Sequence, residues 1–282
     1  MDTPPTRPHP AGSELTTSTT PRAIAWVDGR IMPAQDATVP LMDDGFLRGD
    51  AVFDAVLVRG GRTHALEPHL ARLRSSAQAL DMRVPVLRQV ITDLLAAWGA
   101  NDGTLKLIVT RDGTVRGMVI SRTRPETMVL EMIDTPWRSA LSGVKTLSYA
   151  LNQWAIRAAQ ARGGDDALIV DDGQVLELPT GSICLVHDGV ISSPDPTRLP
   201  ILASVTVEAL RSVVEVVPAM PTVQQAWEAD ELFVVSATRP VLPVHRLRSD
   251  GDEQDLTAPG PVTKDAAARF EAHIATSLDQ LP

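Results

Sequence analysis

The chain has 282 residues, of which 44% are hydrophobic and 22% charged, a composition typical of a globular protein. Its formal net charge is -9 at pH 7 and its arginines are scattered, which argues against a nucleic-acid partner. The single cysteine, Cys184, excludes an intramolecular disulfide and a multi-cysteine metal site. Since no apolar run reaches the roughly 18 residues of a membrane span, we expect a cytoplasmic protein without membrane partners.

The first half of the chain combines hairpins with amphipathic helices. Residues 1–22 are rich in proline and threonine and predict a disordered N-terminal arm rather than a signal peptide. Residues 23–136 predict a small α+β domain. Its hairpins, helices and strands are expected, in order, in "AIAWVDGRIM", "AVFDAVLVRGGRTHAL", "EPHLARLRSSAQALDM", "VLRQVITDLLAAWGA", "GTLKLIVTRDG" and "GMVISRTRPETMVLEMID".

Residues 137–282 predict a second, larger domain that begins after Pro136. The stretch "SGVKTLSYALNQWAIRAAQARGG" predicts a helix that Gly163 and Gly164 end. The remaining segments predict two hairpins, a turn that leads into a helix, an apolar strand and a final helix: "DALIVDDGQVLEL", "GSICLVHDGVISSP", "LPILASVTVEALRSVVEVV", "DELFVVSATRPVLPVHRL" and "TKDAAARFEAHIATSLDQ". The fold class is therefore α+β with two domains.

Lys145 is one of only three lysines and stands at the head of the predicted helix. Its apolar neighbours indicate partial burial, which would lower the pKa of the amine and make it a nucleophile able to form a Schiff base with an aldehyde. Tyr149, the only tyrosine, lies four residues later and would share the same helix face. A lysine in such a position is more often solvent-exposed, as we expect for Lys106 in "LKLIV" and for Lys264.

A Schiff-base cofactor such as pyridoxal phosphate also needs a partner for its pyridine nitrogen and a cradle for its phosphate. Glu177 in "VLELP" suits the first role, although it equally fits an outward-facing strand residue. Arg72 in "HLARL", Thr206 before a predicted helix and Thr238 at the end of an apolar strand suit the second. Each of these three also fits an ordinary surface role.

Seven segments follow one another in a characteristic order: "DDGFLRGDAVFDAVLV", "EPHLARLRSSAQAL", "LKLIVTRDG", "VKTLSYALNQWAIRAA", "DDALIVDDGQVLEL", "ILASVTVEAL" and "ADELFVVSATRPVLPV". Together, from about residue 24 to 247, the chain resembles the class IV pyridoxal-phosphate enzymes. That family includes branched-chain and D-amino acid aminotransferases, (R)-selective amine transaminases and 4-amino-4-deoxychorismate lyase. The resemblance implies a two-domain α+β fold like that of D-amino acid aminotransferase (fold type IV) and a homodimer with its sites near the subunit contact.

The resemblance also implies roles for individual residues. Lys145 would be the Schiff-base and proton-transfer group, Glu177 the partner of the pyridine nitrogen and Arg72 the phosphate ligand of the "H-x-x-R-L" motif. Further cofactor contacts are implied for Val205, Thr206, Thr238 and Tyr149.

Some positions depart from the family pattern. Ser204-Val205-Thr206-Val207 stands where glycine followed by Ile-Thr-Arg is frequent, and Ser182 replaces a common asparagine. Phe53 occupies the place of an active-site tyrosine found in many transaminases. These departures concern the substrate more than the cofactor.

The resemblance of "KTLSYALN" and "VLELP" to lyase-like members, together with Phe53, favours 4-amino-4-deoxychorismate lyase, which releases pyruvate and 4-aminobenzoate in folate biosynthesis. The alternative is an aminotransferase for D-amino acids or branched-chain amino acids. Arg116 stands where D-amino acid enzymes carry a carboxylate-binding arginine, although Met118 replaces the accompanying histidine. A further alternative is a homologue that kept the fold without catalysis. In either enzyme the substrate is a small-molecule amine.

Overall fold

The computed structural model describes residues 22–280 except residues 122 and 124. The predicted N-terminal arm therefore lies outside the described residues apart from Arg22. The described part contains two β-sheets and seven α-helices. The helices are α1 (Asp44–Arg48), α2 (Leu66–Ala79), α3 (Arg88–Trp98), α4 (Ala150–Ala161), α5 (Val205–Arg211), α6 (Val223–Trp227) and α7 (Pro261–Thr276).

The first sheet has six antiparallel strands in the order β2-β1-β6-β5-β3-β4. Its strands are β1 (Ala23–Val27), β2 (Arg30–Pro33), β3 (Ala51–Arg59), β4 (Arg62–Thr63), β5 (Gly103–Thr110) and β6 (Val115–Ile120). Side chains alternate between the two faces of a strand, so Val56 of β3 and Leu107 of β5 enter a core closed by Leu73 of α2 and Leu94 of α3. The opposite face of β3 carries Phe53 and is turned away from that core.

The second sheet has nine strands in the order β12-β11-β10-β13-β14-β7-β8-β9, with β15 paired to β14. Its strands are β7 (Met128–Asp134), β8 (Asp166–Asp171), β9 (Gln174–Val175), β10 (Ser182–His187), β11 (Val190–Pro194), β12 (Val217–Ala219), β13 (Glu231–Ser236), β14 (Arg239–Ser249) and β15 (Asp252–Asp255). The neighbours of β7 are both parallel to it. The domain boundary at residue 136 stays a prediction; β7 precedes it and pairs in the second sheet.

The second sheet closes around an apolar interior. A bridge between Gln174 and Thr222, and a bond from the Val175 N–H to the Pro221 carbonyl (2.8 Å), join its two ends. On β13, Leu232 faces this interior cluster, whereas Phe233 faces a second cluster beneath α5 and α7. Both faces of the central strands are thus buried, which explains their almost uninterrupted apolar sequences.

Among the described residues, no helix is both long and apolar enough to cross a membrane. The structure confirms the α+β class predicted from the sequence. It also shows that α7 links the two sheets, since Phe270 belongs to one cluster with Phe233 of β13 and Leu57 of β3.

Replacing Phe270 by alanine should lower the free energy of unfolding by about 3–5 kcal/mol, because the fully buried ring leaves a cavity. Arg269→Ala on the same helix is the matched control; its exposed ion pair with Asp265 should contribute less than about 1 kcal/mol. Urea-induced unfolding followed by circular dichroism measures both. Equal losses in the two variants would contradict the packing role of Phe270.

Candidate active site

A cavity of about 230 Å³ opens where the first sheet meets the second. Its wall is formed by β3, α2, the segment 137–152, the chain after β9, the start of α5 and the turn between β13 and β14. The structure brings six residues singled out from the sequence into this wall: Arg72, Lys145, Tyr149, Glu177, Thr206 and Thr238.

Lys145 does not lie on a helix, and the predicted start of that helix was wrong. The Phe53 N–H donates to the Lys145 carbonyl (3.1 Å) and the Leu147 N–H to the Ala51 carbonyl (2.9 Å). Because these backbone groups pair with β3, they are not available for helical bonds, and α4 begins only at Ala150. Tyr149 is its N-cap residue, so Lys145 and Tyr149 share the cavity without sharing a helix face.

The Lys145 amine lines the cavity and has a lowered pKa. Burial in the protein, assisted by the positive charge of Arg72, lowers the pKa of Lys145 from 10.5 to about 8. Its Nζ lies 4.7 Å from the centre of the Phe53 ring, and no hydrogen bond or ion pair to it is found within residues 22–280 as described. A substantial share of this amine is therefore unprotonated at slightly alkaline pH.

Glu177 contributes a carboxyl group held by two donors. The Trp137 indole N–H donates to Oε1 (3.0 Å) and the Leu202 backbone N–H to Oε2 (3.1 Å). Burial raises the pKa of Glu177 to about 7, and these hydrogen bonds oppose the rise. Trp137 follows Pro136 in a connector without periodicity, so the sequence had no signal for this contact.

Tyr149 is fixed by contacts on both sides of its ring. Its hydroxyl donates to the Pro179 carbonyl (2.8 Å), and its ring meets Phe53 edge-on with 5.3 Å between the centroids. Burial, followed by the nearby negative charge of Glu177, raises the pKa of Tyr149. The phenol therefore stays protonated, with its proton directed to a backbone carbonyl.

Arg72 is held in place by a buried acid that the sequence did not reveal. Its Nε and Nη2 donate to the two oxygens of Asp54 (2.9 and 2.7 Å), and Nη1 donates to the Ala203 carbonyl (3.1 Å). His69 Nδ1 lies 2.9 Å from Asp54 Oδ1. Burial alone would raise the pKa of Asp54, but the bonds from His69 and Arg72 outweigh it and hold that pKa well below its usual range.

The start of α5 and the turn after β13 add hydroxyls and backbone amides. Ser204 caps α5 through a bond from the Val207 N–H to its hydroxyl (3.2 Å), and Thr206 lines the cavity. The first-turn amides of a helix, here including that of Val205, have no intrahelical acceptor. Thr238 lies in the turn, with its hydroxyl 3.2 Å from that of Ser236.

Arg116, Phe53 and Val205 are not among the residues that line the cavity, although the neighbours of Val205, Ser204 and Thr206, are. Arg116 lies on β6 and donates to Asp28 (3.1 Å), whereas Phe53 sits directly behind the Lys145 amine. Lys106, which we expected to face solvent, is half-buried, and its Nζ lies 4.4 Å from the centre of the Phe53 ring. The alternating pattern "LKLIV" correctly placed Lys106 on the outward face of β5, but it did not show the contact with the Phe53 ring.

The sequence profile described as amino-transferase class IV matches residues 51–247, which is more than half of the chain. The chain belongs to the class IV aminotransferases. The matched range contains every residue of the cavity wall named above. Members of this class depend on pyridoxal 5'-phosphate.

Similar proteins agree with this placement in the class IV aminotransferases. A bifunctional aminodeoxychorismate lyase / D-amino acid transaminase of Mycobacterium tuberculosis is 31% identical over 225 residues, covering 67% of this chain and 77% of its own. A D-alanine aminotransferase of Listeria monocytogenes is 25% identical, covering 90% and 97%. The solved pyridoxal-phosphate-bound form of a hypothetical aminotransferase from Mycobacterium tuberculosis is 27% identical, with a TM-score of 0.77 and coverage of 90% and 99%.

The residues of the cavity fit the class IV cofactor. A half-buried amine without a hydrogen-bond partner in the described part of the chain faces the same cavity as a half-buried carboxyl group. An arginine and two threonines also line the wall, and cations, hydroxyls and first-turn amides are the groups that bind phosphate. The donor set therefore suits an aldehyde, a ring nitrogen and a phosphate.

Competitive acylation of the cofactor-free protein should show that the reactivity of Lys145 rises with pH through a midpoint near 8. Below that pH the amine is protonated and unreactive. Glu177→Gln should lower the midpoint, because the Glu177 carboxylate stabilises the ammonium form. Mass spectrometry of the Lys145 peptide measures the reactivity, with Lys145→Met as the blank. A midpoint near the ordinary lysine value of about 10.4 would contradict the effect of burial.

Proposed function

We propose that this chain is a pyridoxal-phosphate-dependent aminotransferase that acts on small α-amino acids. The observation that carries the proposal is the cavity that Lys145 and Glu177 both line. The two groups interact electrostatically, and their pKa values are about 8 and about 7. Groups whose pKa values are shifted toward neutrality by burial are typical of catalytic proton transfer. The names of the relatives support the amino-acid substrate class.

The proposed cofactor ligands follow from the wall of the cavity. Lys145 would hold the aldehyde and Glu177 would pair with the ring nitrogen. The phosphate would be held by Arg72, the amide of Val205 and the hydroxyls of Thr206 and Thr238, while Tyr149 would lie beside the ring. Bound pyridoxal phosphate supplies an aldehyde that accepts amines and a ring that withdraws electrons from the substrate.

The Lys145 amine would carry the proton between substrate and cofactor carbons. When Nζ is not bonded to the aldehyde, its lowered pKa would allow it to accept a proton near neutral pH. Glu177 would hold a proton toward the ring nitrogen, which stabilises negative charge that develops in the reaction. Tyr149 and Asn152 both donate to the Pro179 carbonyl and thereby fix this side of the cavity (2.8 and 3.0 Å).

The proposed substrate side involves the outward face of the first sheet. Phe53 pairs with Ile108, which pairs with Arg116, so the three side chains share one face. Phe53 would form the floor beneath the reacting amine, and Arg116 would bind a substrate carboxylate after leaving Asp28. The Arg116 side chain is only 13% exposed and its Nε is buried without a partner in the described residues, which suits a charged ligand.

A second candidate function is 4-amino-4-deoxychorismate lyase, which would release pyruvate and 4-aminobenzoate. It is supported by the bifunctional relative, whose name joins this lyase with D-amino acid transaminase. It is also supported by Phe53, because a phenyl ring cannot donate the hydrogen bond that a transaminase tyrosine would supply. Lyase and transaminase share the first proton removal and differ in what leaves afterwards.

A paired assay with the purified holoenzyme tests these alternatives. D-alanine or L-leucine with 2-oxoglutarate should yield the corresponding keto acid and glutamate. Lys145→Ala should lower the rate by at least about 100-fold, the contribution of a positioned proton-transfer group. Formation of 4-aminobenzoate from aminodeoxychorismate, without amino-group transfer to 2-oxoglutarate, would contradict the proposed aminotransferase function and favour the lyase. No turnover in either assay would favour a non-catalytic homologue.

We further propose a homodimer, as in the enzymes that the chain resembles. Leu41, Met42 and Phe46 expose 71%, 80% and 63% of their surface. They precede Gly49 by three to eight residues in the chain, and the Gly49 carbonyl accepts a bond from the Ser148 hydroxyl at the cavity wall (3.3 Å). Such neighbouring exposed apolar side chains are typical of a protein contact.

Phe46→Glu combined with Met42→Glu should convert the dimer into a monomer, because charges would enter the apolar contact. Size-exclusion chromatography with light scattering measures the mass. Val86→Glu, at an 86% exposed apolar position outside this segment, is the control and should remain dimeric. A double variant that stays dimeric would place the contact elsewhere.

A further inference from the structure

The chain that follows α7 crosses from the second sheet to the first. Phe270 and Ile274 pack in the cluster beneath β13, yet Leu278 forms a bridge with His64 at the edge of the first sheet. The Asp279 N–H donates to the Thr63 carbonyl (2.8 Å). Arg62 completes the contact by donating to the carbonyls of Leu278 and Asp279 (2.5 and 2.9 Å).

Asp279 also supplies the missing cap of helix α2. The preceding residue, Ala65, has a left-handed conformation (φ 57°) and no side chain that can accept a hydrogen bond. The carboxylate Oδ2 of Asp279 accepts instead from the Leu66 N–H, the first of the helix (3.0 Å). A carboxylate at a helix N-terminus satisfies an unpaired amide and complements the helix dipole.

A short series of contacts leads from this cap to the cavity. The His69 N–H, one turn into α2, donates to the Ala65 carbonyl (3.3 Å), and its ring contacts Asp54 (2.9 Å). Asp54 holds both Nε and Nη2 of Arg72, whose remaining terminal nitrogen reaches Ala203 beside α5. Fraying of the first turn would therefore loosen His69, then Asp54, and finally the guanidinium in the cavity wall.

We propose that Asp279 is a positioning residue for the phosphate end of the cofactor site, acting through the first turn of α2 on Arg72. The inference rests on the proposed role of Arg72 as a phosphate ligand. Asp279 itself does not line the cavity, so it would affect the phosphate of the cofactor without touching it. Its removal should therefore weaken ligands that carry the phosphate and spare those that lack it.

Binding of pyridoxal phosphate and of pyridoxal, followed by absorbance with the full-length protein, tests the proposal. Asp279→Ala should raise the Kd of pyridoxal phosphate about fivefold, the effect of one lost cap, and change that of pyridoxal less than about twofold. Asp279→Asn should restore most of the affinity, because its amide oxygen can accept the same bond. Equal weakening for both ligands, or none, would overturn the proposal.

Glu271→Ala is the matched control. Glu271 also connects α7 to the first sheet, through Arg59 (3.1 Å), and among the described residues it forms no hydrogen bond or ion pair with α2. It should leave the ratio of the two dissociation constants unchanged even if the melting temperature of the protein falls. A changed ratio in Glu271→Ala would show that any loosening of α7 suffices and would also overturn a specific role of the cap.

A double-mutant cycle with Arg72→Ala separates the two proposals. If Arg72→Ala alone leaves the preference for the phosphorylated ligand intact, the proposed role of Arg72 fails and this inference fails with it. If Arg72→Ala abolishes that preference but Asp279→Ala does not reduce it, only the inference about Asp279 fails. The proposal requires that Asp279→Ala adds little in the Arg72→Ala background, because both changes act on the same contact.

Discussion

The site depends on the backbone pairing between β3 and the chain at residues 145–147. Two hydrogen bonds join a strand of the first sheet to a segment that otherwise runs beside the second. They fix the position of the Lys145 backbone, which also donates from its N–H to the Ser76 hydroxyl on α2 (3.1 Å). With the backbone tied to two elements, the side chain enters the cavity in a defined direction, as a reacting group requires.

The same junction explains the unusual electrostatics of the cavity. Burial acts against the charged forms of both Lys145 and Glu177, so it lowers one pKa and raises the other. Arg72 adds a positive charge nearby, yet its own charge is compensated by Asp54, which is fully buried. The protein therefore keeps the Arg72–Asp54 ion pair charged at the wall. The pKa values of Lys145 and Glu177, in contrast, lie close to neutral pH, where both groups can gain and lose protons.

The sequence predicted the fold class and six residues of the cavity wall, because ordered segments and rare residue types carried that information. Lys145, Glu177 and Arg72 were noticed through scarcity, apolar neighbours or a short motif, and the structure brings them together. The sequence did not predict the start of α4, because the apolar spacing around Leu147 is compatible with a helix. Only the structure shows that the backbone of residues 145–147 pairs with β3 instead. Trp137, Leu202 and Asp54 were missed because their contacts span between 18 and 40 residues of sequence and depend on tertiary structure.

The cap of α2 has a consequence for the order in which the molecule is completed. Residue 279 reaches back to residue 66 over 213 positions, a separation that raises the entropic cost of the contact and delays its formation. When the ribosome has synthesised all strands of the first sheet, Asp279, which caps α2, has not yet been added to the chain. During synthesis this cap of α2 and the pairing of the β4 edge can therefore form only after residues 278 and 279 have been added.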